Sequence, residues 1–190
     1  MSLPVEQTIL GIDPGTVYLG FGIINSSGQK ISLVSLGTVD LTKYSSQQAK
    51  LKRIFERVSF LIKEYRPTAC AIEAPFYGKN VQSMLKLGRA QGVAITVAML
   101  NSVPVIEYSP KKIKLAVTGN GNASKEQVAG MLQRMLGFNG EPKFKDATDG
   151  LAAAVCHHFQ NKLTVPGKKI YKNWNEFVTS NPGRVSSLKI

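Results

Sequence analysis

The 190-residue sequence has few acidic residues, few cysteines and no long apolar run. Only 12 aspartates and glutamates stand against 24 lysines and arginines, which gives a net charge of +12. This shortage of negative charge favours a polyanionic partner over a neutral metabolite, with nucleic acid ahead of an anionic membrane surface. An inert basic surface is the alternative, because net charge by itself specifies no partner.

The two cysteines, Cys70 and Cys156, lie in apolar segments and lack the CxxC spacing of a zinc or redox motif. We therefore expect buried thiols in a reducing compartment. No stretch reaches the roughly 18 apolar residues that a membrane span requires. The N-terminus also lacks the charged and apolar regions of a signal peptide. These absences predict a cytoplasmic protein without a membrane partner.

Hydrophobic periodicity predicts an α/β fold. Alternating apolar residues indicate three strands joined by short turns, as in an antiparallel meander. Three- and four-residue apolar steps indicate helices in the remainder, separated by two short apolar strands. The predicted order is strands 8–13, 19–27 and 30–39, helix 47–65, strand 68–74, helix 80–100, strand 103–108, and helices 110–118, 124–137 and 146–161. Three strands followed by alternating helices and strands predict a mixed sheet with helices on both faces.

The sequence predicts one domain over residues 1–161 and a basic tail over residues 162–190. No periodic apolar pattern continues beyond about Lys162. The glycine, proline, serine and lysine content of the tail is typical of partial disorder, so we expect a basic tail that is partly disordered.

Four carboxylates occupy positions that the predicted fold would bring together. Asp13 ends the first strand, Glu73 ends the fourth, and Asp146 and Asp149 lie three positions apart at the start of the last helix. Each has a structural alternative: turn chemistry in Asp-Pro-Gly, the exposed end of a strand, or capping of a helix. If the first and fourth strands are adjacent and parallel, their carboxyl ends share the sheet edge where α/β folds commonly build sites.

A cluster of four carboxylates repels itself strongly unless cations neutralise it. Oxygen ligands suit Mg²⁺ or Mn²⁺. Two such ions about 4 Å apart stabilise both the attacking and the leaving oxygen of a phosphoryl displacement, which is nuclease chemistry. His157 and His158 begin about 12 Å beyond Asp149 along the helix, too far to share these ligands, and are expected on its flank or end.

The segments that carry these residues resemble the RuvC-type Holliday junction resolvases of the ribonuclease H-like superfamily. The resemblance covers about 8–160 and comprises, in the family's order, ILGIDPGT, AIEAPFYGKNVQSMLKLGRAQGVAI, VIEYSPKKIKLAVTGNGNASKEQV and DATDGLAAAV. It implies a ribonuclease H-like sheet and a catalytic site that binds two Mg²⁺, with Mn²⁺ as a substitute. The implied catalytic and metal-binding residues are Asp13, Glu73, Asp146 and Asp149.

The resemblance also implies partners. It indicates a bacterial homodimer that makes paired cuts in the opposed strands of a four-way DNA junction, together with a branch-migration motor. Small residues along the predicted middle helix permit the close approach of a second helix, although packing on the protein's own sheet is an equal alternative. These small residues are Gly88, Ala90, Gly92, Ala94 and Ala98.

Further residues resemble the family's DNA contacts. Phe76 resembles an aromatic that stacks on bases near the crossover, and its alternative is packing beneath its own loop. Lys114 and Lys125 match positions where the family uses basic side chains against DNA. Lys111 and Lys112 lie so close to them that the sequence does not choose among these lysines. The candidate DNA contacts are Phe76, Lys79, Lys111, Lys112, Lys114 and Lys125, and any one of the lysines could instead be a solvated surface charge.

Three other functions share features with this sequence. A sugar-kinase or chaperone-type ATPase also uses an Asp-x-Gly-Thr loop, but it needs two related domains, and no second DPGT occurs here. A RuvX-type nuclease acting on RNA shares the DPGT hairpin, and the segments AIEAPF and KLGRAQG argue against it. A catalytically silent DNA-binding module would lack one of the four carboxylates, and none is missing.

Overall fold

A computed structural model of the chain describes residues 6–75, 80–138, 145–163 and 174–180. One mixed sheet contains β1 (Glu6–Asp13), β2 (Tyr18–Ser27), β3 (Lys30–Asp40), β4 (Ala69–Glu73) and β5 (Val105–Tyr108), in the order β3-β2-β1-β4-β5. The helices are α1 (Gln47–Tyr65), α2 (Val81–Leu100), α3 (Pro110–Thr118), α4 (Lys125–Leu136), α5 (Lys145–Leu163) and α6 (Trp174–Ser180). None of the helices in the described ranges is long and apolar enough to cross a membrane.

The sheet has the mixed direction that the sequence predicts. β1, β2 and β3 pair antiparallel, whereas β4 is parallel to β1 and β5 is parallel to β4. Local chemistry sets the element ends. The Ser46 side chain caps α1 by accepting a hydrogen bond from the Ala49 amide, and α1 ends at Arg66 in the left-handed conformation, just before Pro67.

Helices cover both faces of the sheet. One core lies beneath α1 and α2 and includes Leu10, Ile12 and Ile72 from the strands. The second core lies beneath α3, α4 and α5 and includes Ile9, Ile24 and Ala71 from the strands. Because neighbouring strand residues point to opposite faces, the two cores alternate along each strand.

Helix α5 contacts β1 and β2 through backbone atoms. A methyl group at Gly22 would overlap the Leu151 Cα, and a methyl group at Gly20 would overlap the Asp146 carbonyl oxygen. A Cβ at Gly150 would lie 2.7 Å from the Gly20 carbonyl carbon. We call this contact the glycine seam; its members are Gly11, Gly20, Gly22 and Gly150.

The chain divides into two compact units, residues 1–160 and 161–190. The second unit contains α6, a helix that the sequence pattern did not locate within residues 162–190. The helix has 7 residues. It is therefore shorter than two turns, and a segment of that length gives too few apolar repeats for a helical period to be detected.

Replacement of Gly22 by alanine is expected to lower the free energy of unfolding by about 1–3 kcal/mol, because α5 must move away from β2 to accommodate the methyl group. Gly130→Ala in α4 is the matched control, since a methyl group there meets nothing within 4 Å. Alanine is also the better helix former, so the control should keep or raise stability. Urea unfolding of both variants measures the difference, and wild-type stability in Gly22→Ala would refute a tight seam.

Candidate active site

The sheet places Asp13 and Glu73 side by side. β1 and β4 are parallel neighbours in which Ile12 pairs with Ile72, and each strand ends one residue later. Ile12 and Ile72 point into the core beneath α1 and α2. By alternation, Asp13 and Glu73 lie on the opposite face, toward α3, α4 and α5. The adjacent, parallel strands assumed in the sequence argument are therefore present.

The first turn of α5 brings Asp146 and Asp149 to the same place. Gly20 pairs with Asp13 across β1 and β2, and the Asp146 backbone rests directly on Gly20. Asp149 lines one cavity together with Asp13 and Glu73. Asp146 does not line that cavity, but its negative charge raises the pKa of both Asp13 and Asp149.

The cavity between these elements has a volume of about 70 Å³. Its polar lining is Asp13, Glu73, Asp149, Lys114 and Lys125, and its apolar lining is Pro110, Ile113, Val128 and Ala152. A volume of this size holds a few waters or ions, since one water needs roughly 10–15 Å³ by this measure. It is far below the roughly 300–1,000 Å³ of a pocket that encloses an organic ligand. The site therefore suits ions and a phosphate that approaches from solvent.

Burial and mutual repulsion make these carboxyl groups hard to ionise. Burial, with a further contribution from Asp13 and Asp149, raises the pKa of Glu73 to about 8. Burial and the charge of Asp149 raise the pKa of Asp13 to about 6, although Lys125 acts in the opposite direction. Burial also raises the pKa of Asp149, against a hydrogen bond from Lys125. A bound cation would relieve all three shifts.

Two lysines lie at this acidic cavity. The Lys125 ammonium donates to Asp149, with 2.5 Å between Nζ and Oδ2. Burial lowers the pKa of Lys125, but the hydrogen bond and charge of Asp149 outweigh it, so the net shift is upward. Lys114 lines the cavity, and its charge lowers the pKa of Glu73 and Asp149.

The other candidate lysines are directed elsewhere. The Lys112 Nζ lies 5.2 Å from the centroid of the Tyr108 ring, a cation–π contact. The side chain of Lys111 packs against Gly121. The structure thus brings Lys114 and Lys125, but not Lys111 or Lys112, to the carboxylates. The remaining candidates, Phe76 and Lys79, lie outside the described residues.

His157 and His158 are buried in the later turns of α5 and contact the sheet rather than the carboxylates. The His157 Nδ1 lies 2.9 Å from the Tyr108 hydroxyl. The His158 Nδ1 lies 2.6 Å from the Ser26 Oγ. These contacts fasten α5 to β5 and β2, and burial lowers the pKa of His157.

Our sequence analysis missed the glycine seam as part of the site. The signal was present, because Gly20 and Gly22 alternate along β2 and therefore share one face of the sheet. Small residues on one strand face indicate the close approach of another backbone.

The donor set fits a hard cation. Carboxylate oxygens are the ligands that Mg²⁺ and Mn²⁺ prefer, and the pKa values of Asp13 and Glu73 stay raised by burial and mutual repulsion although lysines lie nearby. In the described part of the chain, no three acidic, histidine or cysteine side chains are already close enough together to hold an ion. Closing around one requires side-chain movement, and the ion pair of Lys125 with Asp149 is one contact that would change.

These features define an α/β protein with an acidic site at the carboxyl ends of adjacent parallel strands. The structure described as T. thermophilus RuvC in complex with Holliday junction substrate matches it with a TM-score of 0.76 at 32% identity. That match covers 83% of this chain and 96% of the other. The predicted ribonuclease H-like fold class is confirmed.

The sequence comparisons agree with the structural one. The family model for crossover junction endodeoxyribonuclease RuvC matches residues 9–157. A relative of that name from Christiangramia forsetii is 56% identical, over 96% of this chain and 95% of its own. Another from Porphyromonas gingivalis is 53% identical, over 96% and 98% respectively. The chain belongs to the RuvC family of crossover junction endodeoxyribonucleases and is an endonuclease, which confirms the family resemblance.

The metal-free protein is expected to lose stability as pH rises from about 5 to about 8. The pKa of Glu73 rises on folding from 4.5 to about 8, and that of Asp13 from 3.8 to about 6. At these two groups the folded state therefore binds more protons than the unfolded state in this window, and the free energy of unfolding falls as they are lost, whereas the lowered pKa of His157 acts in the opposite direction.

Glu73→Gln should make this fall shallower, whereas Glu64→Gln, at an exposed position on α1, should not. Urea unfolding in the presence of a chelator at several pH values measures both. Superimposable pH profiles for the wild type and Glu73→Gln would show that Glu73 is not a source of the effect.

Proposed function

We propose that this protein resolves four-way DNA junctions by divalent-metal-dependent hydrolysis at the cavity formed by β1, β4 and α5. The observation that carries the proposal is the grouping of three carboxylates and two lysines around one small cavity, on a chain of net charge +12. Positive charge attracts the phosphate backbone, and the carboxylates supply ligands for the metal. The similar T. thermophilus RuvC structure is described as a complex with Holliday junction substrate.

Each residue has a proposed role in this reaction. Asp13 and Glu73 hold metal from the ends of two paired strands, where they have little freedom to move. Asp146 and Asp149 add ligands from the first turns of α5. These residues would hold Mg²⁺ or Mn²⁺, two ions per site in our proposal, and the bound metal would supply a more acidic water and charge stabilisation at the leaving oxygen. Lys114 and Lys125 draw the DNA phosphate to the cavity mouth.

A homodimer through α2 is the second part of the proposal. Val81, Leu85 and Met99 are at least half exposed on α2. Methyl groups at Gly88 and Gly92 would meet nothing within 4 Å. Along α2 these five positions follow one another at steps of three, four or seven residues, which is one or two helical turns. They therefore form one stripe on the helix surface. An apolar stripe with glycines at its centre suits the same stripe of a second copy in a two-fold interface.

Two catalytic sites related by a two-fold axis match paired cuts in opposed strands of a junction. A branch-migration motor and a bacterial cytoplasmic location are proposed from the family resemblance. The nuclease domain is assigned to residues 1–161, with the basic segment 162–190 as an addition to it.

Asp13→Asn is expected to lower junction cleavage by about a hundredfold or more while DNA binding is kept or becomes tighter. The amide is a poorer metal ligand, but it removes a negative charge that repels phosphate. Cleavage of a synthetic four-way junction and of a duplex of matched sequence in Mg²⁺, with gel-shift binding in Ca²⁺, measures both properties. Asp40→Asn is the control, because the Asp40 carboxylate bonds to Thr42 at the end of β3.

Two results would count against this assignment. Parallel loss of binding and cleavage in Asp13→Asn would mean that Asp13 supports the fold or the DNA surface rather than the chemistry. Equal cleavage of the duplex and the junction by the wild type would indicate a general nuclease.

Phe76→Ala is expected to slow junction cleavage by about ten- to a hundredfold, the equivalent of losing one base-stacking contact in the transition state. Thermal unfolding should change little, because in this proposal Phe76 stacks on DNA and does not pack in the core. A large drop in Tm with normal activity of the folded fraction would make Phe76 a packing residue instead.

A further inference from the structure

The ion pair between Lys125 and Asp149 joins an outer and an inner side chain of the proposed metal site. The Lys125 side chain is 60% exposed, whereas that of Asp149 is 14% exposed. The ammonium therefore reaches from the surface to a largely buried carboxylate, with 2.5 Å between Nζ and Oδ2. Such a charge-assisted hydrogen bond is stronger than one between neutral groups.

The start of α4 determines where this lysine stands. Lys125 is the first residue of α4, and a capping box holds the helix end: the Ser124 side chain accepts from the Gln127 amide, and the Gln127 side chain accepts from the Ser124 amide. The backbone of Lys125 is thus anchored, while its long side chain can change direction. Movement of the ammonium requires no rearrangement of the helix.

We propose that Lys125 is an internal counter-cation for Asp149, which a divalent ion displaces and which then contacts a DNA phosphate. This inference rests on the proposed metal site. The ammonium of Lys125 occupies one acceptor position of the Asp149 Oδ2, and an ion of charge +2 at Asp149 repels it, so the two cations compete for this carboxylate. Lys125 therefore neutralises Asp149 when the metal site is empty and contacts DNA when the metal is bound.

The proposal predicts a thermodynamic coupling. In the absence of DNA, a metal ion must break the ion pair, so Lys125 weakens metal binding. A phosphate that draws Lys125 away from Asp149 removes this competition and strengthens metal binding, and by linkage the metal strengthens the phosphate contact. A site with this property binds its metal most tightly when DNA is present.

Lys114 offers a matched control. It lines the same cavity and acts on Asp149 through its charge. Among the described residues, however, Lys125 and not Lys114 forms an ion pair with one of the four carboxylates. Lys125→Met and Lys114→Met therefore remove the same charge from the same cavity, and only the first removes a direct competitor for a ligand oxygen.

The first test is calorimetric titration of the full-length, metal-free protein with Mn²⁺ in the absence of DNA. Lys125→Met should bind Mn²⁺ about tenfold more tightly than the wild type, the equivalent of one charge-assisted hydrogen bond. Lys114→Met should bind about two- to threefold more tightly, because it loses only a screened charge. Equal gains in the two variants, or weaker binding by Lys125→Met, would overturn the proposal. Circular dichroism confirms that both are folded.

The same titration separates the proposed role of Lys125 from the proposed metal site on which it rests. Asp149→Asn should weaken Mn²⁺ binding in the same titration. Absence of Mn²⁺ binding by the wild type would overturn both the metal site and the role of Lys125. Binding that depends on Asp149, with equal gains for Lys125→Met and Lys114→Met, would retain the metal site and reject the counter-cation.

A second test addresses the DNA contact. Junction binding is measured at several salt concentrations, with Ca²⁺ and with a chelator, for the wild type and Lys125→Met. The quantity compared is the slope of the logarithm of the binding constant against the logarithm of the salt concentration. If metal frees Lys125 for a phosphate, Ca²⁺ should steepen this slope by about 0.9 more for the wild type than for the variant. The same change in both proteins would refute the transfer of Lys125 to DNA.

Discussion

The close approach of α5 to β1 and β2 determines where the carboxylates of the candidate site meet. Because Gly20 and Gly22 have no side chains, the helix backbone lies directly on the sheet, with the Asp146 backbone against the strand residue that pairs with Asp13. A larger residue at either glycine would act as a spacer and move the first turn of α5 outward. The buried contacts of His157 and His158 hold the later turns of the same helix to the sheet. The packing of α5 on the sheet therefore also determines the geometry of the site.

The electrostatics of the cavity favours the binding of divalent ions and phosphates. Grouping carboxylates in a partly buried cavity is unfavourable by itself, as the raised pKa values of Asp13 and Glu73 show. The fold tolerates the cost because rigid strand ends and a helix start hold the groups, and because lysines from α3 and α4 lie beside them. A cavity that is negative inside, on a chain that is positive overall, attracts divalent ions and phosphates to one point.

Local sequence signals predict much of this fold and the composition of its site. Ser46 and Pro67 bracket α1, and the predicted helix has the observed ends at Gln47 and Tyr65. The choice among the lysines of α3 is different, because Lys111, Lys112 and Lys114 are nearly adjacent in sequence. Their directions depend on the rotation of α3, which the burial of Ile113 and Val117 sets. The glycine seam was missed for a related reason: the alternation of Gly20 and Gly22 indicates that another backbone comes close, but it does not identify the element that does so.

Diffraction from crystals grown with Mn²⁺, recorded with anomalous signal, tests the central claim most directly. Our account predicts strong peaks at the cavity between β1, β4 and α5, within bonding distance of Asp13, Glu73, Asp146 and Asp149. A fully occupied site should show two peaks about 4 Å apart. Peaks confined to other surfaces, with the Lys125–Asp149 ion pair intact in crystals grown at saturating Mn²⁺, would contradict it.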